Sequence, residues 1–268
     1  MRRDVVQLRQ FYATPLGRAA REMVGRKLEE AWGSARGLDV LGLGYATPYL
    51  DLFVQARRTT AAMPAAQGVE TWPREGRNLA CLAEEAALPF ANALFDRILV
   101  IHALEEADDP LTMLREVWRV LAPSGRVIIV AASRLGLWSD SERTPFGHGA
   151  PYSRGQLEAL VREAELEPLA WSRALYVPPL DWAARWAEGF EQIGSRLAPA
   201  VSGLILLEAV KQTFAVKPRA QTARARRAAG AFRPAPAGPL YEPAPERLEP
   251  AGVGPTFGLA PAEELARP

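Results

Sequence analysis

The sequence predicts an α/β fold, a doubly wound and mostly parallel sheet, and three observations predict it. From Leu38 onward, short apolar runs alternate with amphipathic stretches, the rhythm of strand–helix crossovers. Two runs, Arg97-Ile98-Leu99-Val100-Ile101 and Arg126–Ala132, are almost continuously apolar, as strands buried on both faces must be. The apolar run that begins at Leu38 ends in Gly42-Leu43-Gly44, a tight turn directly ahead of a helical segment. With 268 residues, 49% apolar and 24% charged, the chain can bury a large core.

The elements follow in order. Thr14 as N-cap and Pro15 at the first helical position open a helix over 14–32, which carries Leu16, Ala19, Ala20, Met23, Val24 and Leu28 at helical spacing. Leu38–Leu43 reads as a strand and Pro48–Ala56 as a helix. Weaker strands are expected near Thr59–Met63 and Leu79–Ala83. After the 97–101 strand, Asp109 and Pro110 cap a helix running to Leu121, and Pro123-Ser124-Gly125 turns the chain into 126–132. A long Gly/Pro-bearing loop, 134–152, exceeds ordinary connections and is a candidate functional loop. Ser153 and Gln156 form a capping box for a helix over 154–165, and Leu169–Val177 and Gly203–Val216 complete the strands. Between them Trp182, Trp186, Phe190, Ile193 and Leu197 share one helical face. The spacing favours a further helix packed on the sheet over an aromatic substrate box, and 181–197 is the stretch where a protein partner is expected.

The last 52 residues, 217–268, hold 10 of the 23 prolines and eight Lys/Arg against five Glu. They read as a solubilising, disordered Ala/Pro/Arg-rich tail, which divides the chain into an N-terminal cap (1–37), a core domain (38–216) and that tail. The rest of the chain is close to neutral, which argues against a nucleic-acid surface. Cys81 is the single cysteine, so an internal disulfide and a cysteine metal cluster are excluded, and a reducing compartment fits. No apolar leader follows Met1 and no window of 18 apolar residues occurs; the expectation is a cytoplasmic protein with no membrane span and no metal site.

The sharpest local feature is Asp39-Val40-Leu41-Gly42-Leu43-Gly44-Tyr45-Ala46-Thr47-Pro48. A strand end feeding a helix N-terminus presents backbone N–H groups at the crevice outside the sheet, where glycine lets a ligand approach. A dinucleotide fingerprint would want a third glycine, where Thr47 stands, and an acid roughly 20 residues on, where Met63-Pro64-Ala65-Ala66 stands. Nicotinamide chemistry is therefore disfavoured, and no Gly-Lys-Ser/Thr phosphate loop is present.

Three linked segments extend this pattern: the Gly42–Gly44 turn, then Leu88-Pro89-Phe90 with Leu94-Phe95-Asp96-Arg97-Ile98, then Leu114-Arg115-Glu116-Val117-Trp118-Arg119-Val120-Leu121-Ala122-Pro123-Ser124-Gly125. In this order they resemble the class I S-adenosylmethionine-dependent methyltransferases of the type 11 group, clearly over residues 38–135. The resemblance implies a seven-stranded Rossmann-like sheet under an N-terminal cap helix, S-adenosylmethionine as cofactor and a small-molecule acceptor. It implies that Gly42, Gly44, Tyr45 and Ala46 line the methionine side of the cofactor and that Glu84, or its neighbour Glu85, meets the adenine. Met63 falls at the ribose position, His102 beside the methyl donor, and Phe11 and Tyr12 close over the cofactor. The chain departs from the family at Gly42 and at Ala46, where an acid and a glycine are usual, and at Met63-Pro64, where the ribose-binding acid is missing. Losing that acceptor removes charge-assisted hydrogen bonds of about 1.5–3 kcal/mol each.

Methyl transfer needs alignment, exclusion of water and sometimes removal of a proton. Candidates for the last role are the two histidines, His102 and His148. The latter lies on the 134–152 loop, where packing and substrate contact are both open. Glu105, Glu106, Asp108 and Asp109 read as a solvated loop with an N-cap. Two functional classes stand: a methyltransferase acting on an unidentified, small acceptor, and a catalytically inactive methyltransferase-like binding or scaffold protein. A third reading, RNA modification aided by the basic 217–227 run, predicts salt-dependent binding.

Overall fold

The computed structural model describes residues 3–197 and 201–211. The predicted tail, 217–268, lies outside the described residues. The N-terminal cap consists of two helices, α1 (Val5–Ala13) and α2 (Pro15–Trp32), where the sequence pattern marked only the second. Asp4 and Gln7 form a capping box on α1, and Leu8, Phe11 and Tyr12 are its buried face. Thr14 caps α2 by accepting from the Gly17 amide, with Pro15 at the first helical position.

Seven strands form one sheet: β1 (Asp39–Gly44), β2 (Arg58–Pro64), β3 (Ala80–Ala83), β4 (Phe95–Ile101), β5 (Leu121–Ala132), β6 (Leu166–Ala174) and β7 (Leu204–Lys211). Their spatial order is β3-β2-β1-β4-β5-β7-β6. The first five are parallel, and β7 runs antiparallel to both β5 and β6. The order reverses between β1 and β4, so a crevice opens beyond their C-terminal ends, the usual ligand position in open α/β sheets.

The side-chain alternation of the strands fills two cores. Leu99, Ile101, Ile128 and Val130 pack toward α1, α2 and the short helix α3 (Thr47–Leu50). Ile98, Val100, Val127 and Ile129 pack toward α4 (Pro110–Val120) and α5 (Arg154–Glu163). Asp109 caps α4 by accepting from the Thr112 amide, and Ser153 with Gln156 boxes α5.

Three expectations are corrected. The helix expected over 48–56 is one α-turn followed by a 3₁₀ turn, Asp51–Phe53, which leads toward β2. The turn at Pro123-Ser124-Gly125 lies inside β5, as the irregularity between the Phe95/Leu121 and Arg97/Arg126 pairings, with Ser124 at φ +59°. The stretch 181–197 is helical, a 3₁₀ turn (Asp181–Trp186) continuing into α6 (Ala187–Leu197), but its apolar stripe is not packed on the sheet. Only Phe190 and the small Ala183, Ala184 and Ala187 reach the core, while Trp182, Trp186, Ile193 and Leu197 are between 57% and 80% exposed. Among the described residues, no helix is long and apolar enough to cross a membrane.

Candidate functional site

The turn after β1 is held by its own backbone. Gly44 sits at φ +86°, and a Cβ there would lie 2.2 Å from the Ile101 carbonyl oxygen. Glycine is required on both counts. The Tyr45 amide donates to that same carbonyl at 3.1 Å, joining the ends of β1 and β4. The space beside Gly42 is taken by Ala46 and Leu50, whose side-chain carbons would stand 2.6 Å and 3.0 Å from an added Cβ. Gly42 and Ala46 are thus a complementary pair. With α3 only one turn long, the helix-dipole argument for anion binding at this turn falls away.

Above the turn, α1 lowers Tyr12 into an aromatic cluster. The Tyr12 ring stacks on Tyr45 with centroids 5.8 Å apart, and its hydroxyl bonds the Tyr49 hydroxyl at 3.0 Å and His102 Nε2 at 2.8 Å. His102 lies against Phe146, centroids 4.4 Å apart, and Phe146 in turn meets Trp138 and Phe11. Burial drives the imidazole down to about 3, so it is neutral at physiological pH. Burial raises the phenols of Tyr12, Tyr45 and Tyr49 well above their ordinary value, keeping all three protonated. His102 has φ +53°, a costly conformation for a residue with a side chain, and its carbonyl accepts from Gln67 Nε2 at 2.8 Å. Gln67 also accepts from the Val5 amide through its own carbonyl, so the β2 end, the β4 end and α1 are tied together.

Two cavities flank α1. One, about 430 Å³, lies between Tyr12, Tyr45, Thr47 and Asp51 on one side and the loop Glu70–Arg74 on the other, with Arg9 and Arg21 at its rim. Glu70 accepts from the Thr47 hydroxyl at 3.1 Å and sits 3.8 Å from the Arg9 guanidinium. The other, about 380 Å³, is lined by Gln7, Gln10, Phe11, Arg143 and Asp181.

Of the residues expected at the site, Tyr12, Gly44, Tyr45 and His102 come together. Met63 is fully buried at the end of β2. Glu84 is exposed, bridging in backbone to Ala87 beyond β3, and lines neither cavity. His148 stands apart from His102: its Nε2 contacts the Glu142 carbonyl at 3.0 Å and the Arg3 guanidinium. The acidic run is not uniformly solvated. Asp109 caps α4, but Glu105 is buried at the end of β4, its Oε1 accepting from the Ala132 amide at 3.0 Å. Sequence reasoning missed Glu70 and Gln67 and read Glu105 as solvated. Glu70 lies further along than the spacing tested, and the others carry no motif.

The order of the three linked segments has a physical basis. Arg119 donates to the carbonyls of Leu88 and Phe90, each at 2.8 Å, and to Glu116, whose carboxylate accepts from the Leu88 amide. The Leu-Arg-Glu-x-x-Arg helix thereby clamps the Leu-Pro-Phe segment.

Residues 38–129 match the family model described as a methyltransferase domain. An uncharacterised protein of Mycobacterium tuberculosis is 25% identical over 197 residues, 66% of this chain and 63% of its own length, so the chain spans less than two thirds of that relative. The 27-O-demethylrifamycin SV methyltransferase of Amycolatopsis mediterranei is 34% identical over 93 residues, covering 32% of this chain and 34% of that protein. Among solved structures, a chain from the complex of the Haloferax volcanii Trm112 methyltransferase activator superposes with a TM-score of 0.50 at 18% identity, over 74% of this chain and 98% of that one, which supports the fold. Residues 38–129, which run from β1 into β5 of a sheet of order β3-β2-β1-β4-β5-β7-β6, thus match a methyltransferase domain.

Proposed function

We propose that this chain is an S-adenosylmethionine-dependent methyltransferase acting on a small organic acceptor. The observation that carries this reading is that the matched segment contains an intact Gly44 turn opening beside a cavity of about 430 Å³. The residues there suit the cofactor. Stacked Tyr12 and Tyr45 offer aromatic faces to a sulfonium, and Gln67 Oε1 is a buried acceptor without a donor, suited to an ammonium. When bound, the cofactor supplies an activated methyl group on sulfur. Gly44, Tyr45 and Ala46 bind its methionine end in this reading, and His102, held neutral, adds no repelling charge. Glu70 takes over the ribose from the acid that the Met63 segment lacks. Glu84, exposed and outside this cavity, is kept for the adenine only as the family resemblance implies. Trp138 and Phe146 on the 134–152 loop exclude water from the acceptor side. His102, engaged by Tyr12, is a positioning residue, and His148, engaged by Arg3 and the Glu142 carbonyl, takes part in proton removal only if those contacts give way to the acceptor.

Isothermal titration of the full chain with S-adenosylmethionine is the test. Saturable heat in the micromolar range is expected. One observation favours the second reading, a protein that keeps the fold without the reaction: the Tyr12 hydroxyl is already engaged by both Tyr49 and His102, and Gln67 clasps the His102 carbonyl, so these polar groups satisfy one another without a ligand. Absence of heat at high concentration, with the protein shown to be folded, would remove the methyltransferase reading.

A further inference from the structure

Glu105 is a carboxylate in an incomplete site. Its residue is 7% exposed, one oxygen accepts from the Ala132 amide, and Oε2 has no hydrogen-bond partner. The groups facing it are Tyr12 from α1, Tyr152 from the loop before α5, and Glu106 beside it; none is a cation. Neither protonation state is satisfied. As an anion, Oε2 lacks a donor and a counter-charge; as an acid, it lacks an acceptor for its proton. A second buried acceptor, Gln67 Oε1, is likewise unpartnered, and Gln67 is bonded to the His102 carbonyl three residues before Glu105. Two unpartnered acceptor oxygens therefore lie near His102 at the C-terminal edge of the sheet; the donors beside the Glu105 carboxyl are backbone amides, its own and that of Ala132, and no cation faces it.

We propose that Glu105 is the counter-charge for a cationic group of the bound ligand, and that arrival of this cation releases the Glu105 proton to solvent. The inference rests on the functional reading above and deepens it, since the cofactor brings two such groups, a sulfonium and an ammonium. The carboxyl is prepared for the exchange. Burial raises it to about 7, so it is largely protonated in the free protein just below neutrality, and a nearby cation lowers it again. No bond to carbon forms or breaks; one O–H proton passes to buffer as the ion pair forms.

The test is calorimetric titration of the full chain at pH 6.5 in buffers of differing ionisation enthalpy, using S-adenosylmethionine and S-adenosylhomocysteine. About 0.7 proton is expected to be released per cofactor bound by wild type, and close to none by Glu105→Gln, which preserves the acceptor toward Ala132. Release with both ligands identifies the ammonium as the cation; release with S-adenosylmethionine alone identifies the sulfonium. Binding to wild type without proton release overturns the proposal, as does release unchanged in Glu105→Gln. Absence of binding by either ligand instead removes the functional reading beneath it.

Discussion

The hydroxyl of Tyr12 stands 2.8 Å from Nε2 of His102, and this contact joins the N-terminal cap to the end of the fourth strand. Its removal in Tyr12→Phe leaves a buried imidazole nitrogen and the Tyr49 hydroxyl without a shared partner. Urea denaturation should show a loss of about 1–3 kcal/mol. A change below a few tenths would mean that water replaces the hydroxyl and that the cap is held elsewhere.

Gly44→Ala should be far more damaging than Gly42→Ala. At Gly44 the new carbon meets a backbone oxygen and the backbone is left-handed; at Gly42 it meets two side chains, one of them flexible. A loss of about 3 kcal/mol or more is expected at Gly44, enough to leave little folded protein by circular dichroism. Equal behaviour of the two variants would contradict the geometry of the turn.

Arg119→Ala should free the Leu88–Asn92 segment, because three of its acceptors, the Leu88 and Phe90 carbonyls and Asn92 Oδ1, lie there. The guanidinium is partly solvated, so about 1–2 kcal/mol is expected, together with faster amide exchange at Leu88.

Glu70→Ala and Glu84→Ala separate the two carboxylates assigned to the cofactor. Loss of a charged acceptor from the ribose should weaken S-adenosylmethionine binding roughly tenfold or more at Glu70. Weaker binding by Glu84→Ala keeps the adenine assignment, and unchanged affinity removes it.

The pH dependence of stability has opposed contributions. His102 titrates near 3 when folded and near 6.5 when unfolded, so between those values the unfolded chain binds more protons and stability rises with pH. Glu105 titrates near 7 when folded against an ordinary 4.5, so from 4.5 to 7 the folded chain binds more protons and stability falls with pH. The two slopes, each up to about 1.4 kcal/mol per pH unit, oppose one another over the overlap. Wild type should be nearly flat from pH 4.5 to 6.5 with respect to these groups. Glu105→Gln should instead gain stability across that interval, as measured by thermal unfolding.

How much of this was legible in the sequence varied with the kind of signal. The α4 boundary was readable because Asp109 and Pro110 are local devices whose action needs no tertiary context. The Glu116–Arg119 clamp on Leu88 was visible as a motif, although its hydrogen bonds were not. The α1 helix went unmarked, its capping box at Asp4 and Gln7 being as local as that of α5 but passed over. The 181–197 stripe shows the limit of periodicity: spacing reveals which face is apolar, never what covers it. Glu105 was misplaced because it stands in an acidic run whose later members, Asp108 and Asp109, are exposed, and its burial depends on the Ala132 amide far along the chain. Glu70 and Gln67 reach the site from a connection whose path no pattern encodes.

Trp138 is fully buried, donates to the Val177 carbonyl at 2.7 Å and packs edge-on against Phe11 and Phe146, whereas Trp182 and Trp186 lie open to water. The molecule therefore carries its own optical gauge. Of the seven tryptophans, acrylamide should quench the exposed Trp171, Trp182 and Trp186 first, leaving blue-shifted emission from the more buried indoles, among them Trp138 on the 134–152 loop against Phe11 of α1. Movement of either on ligand entry becomes a spectral change in unlabelled protein.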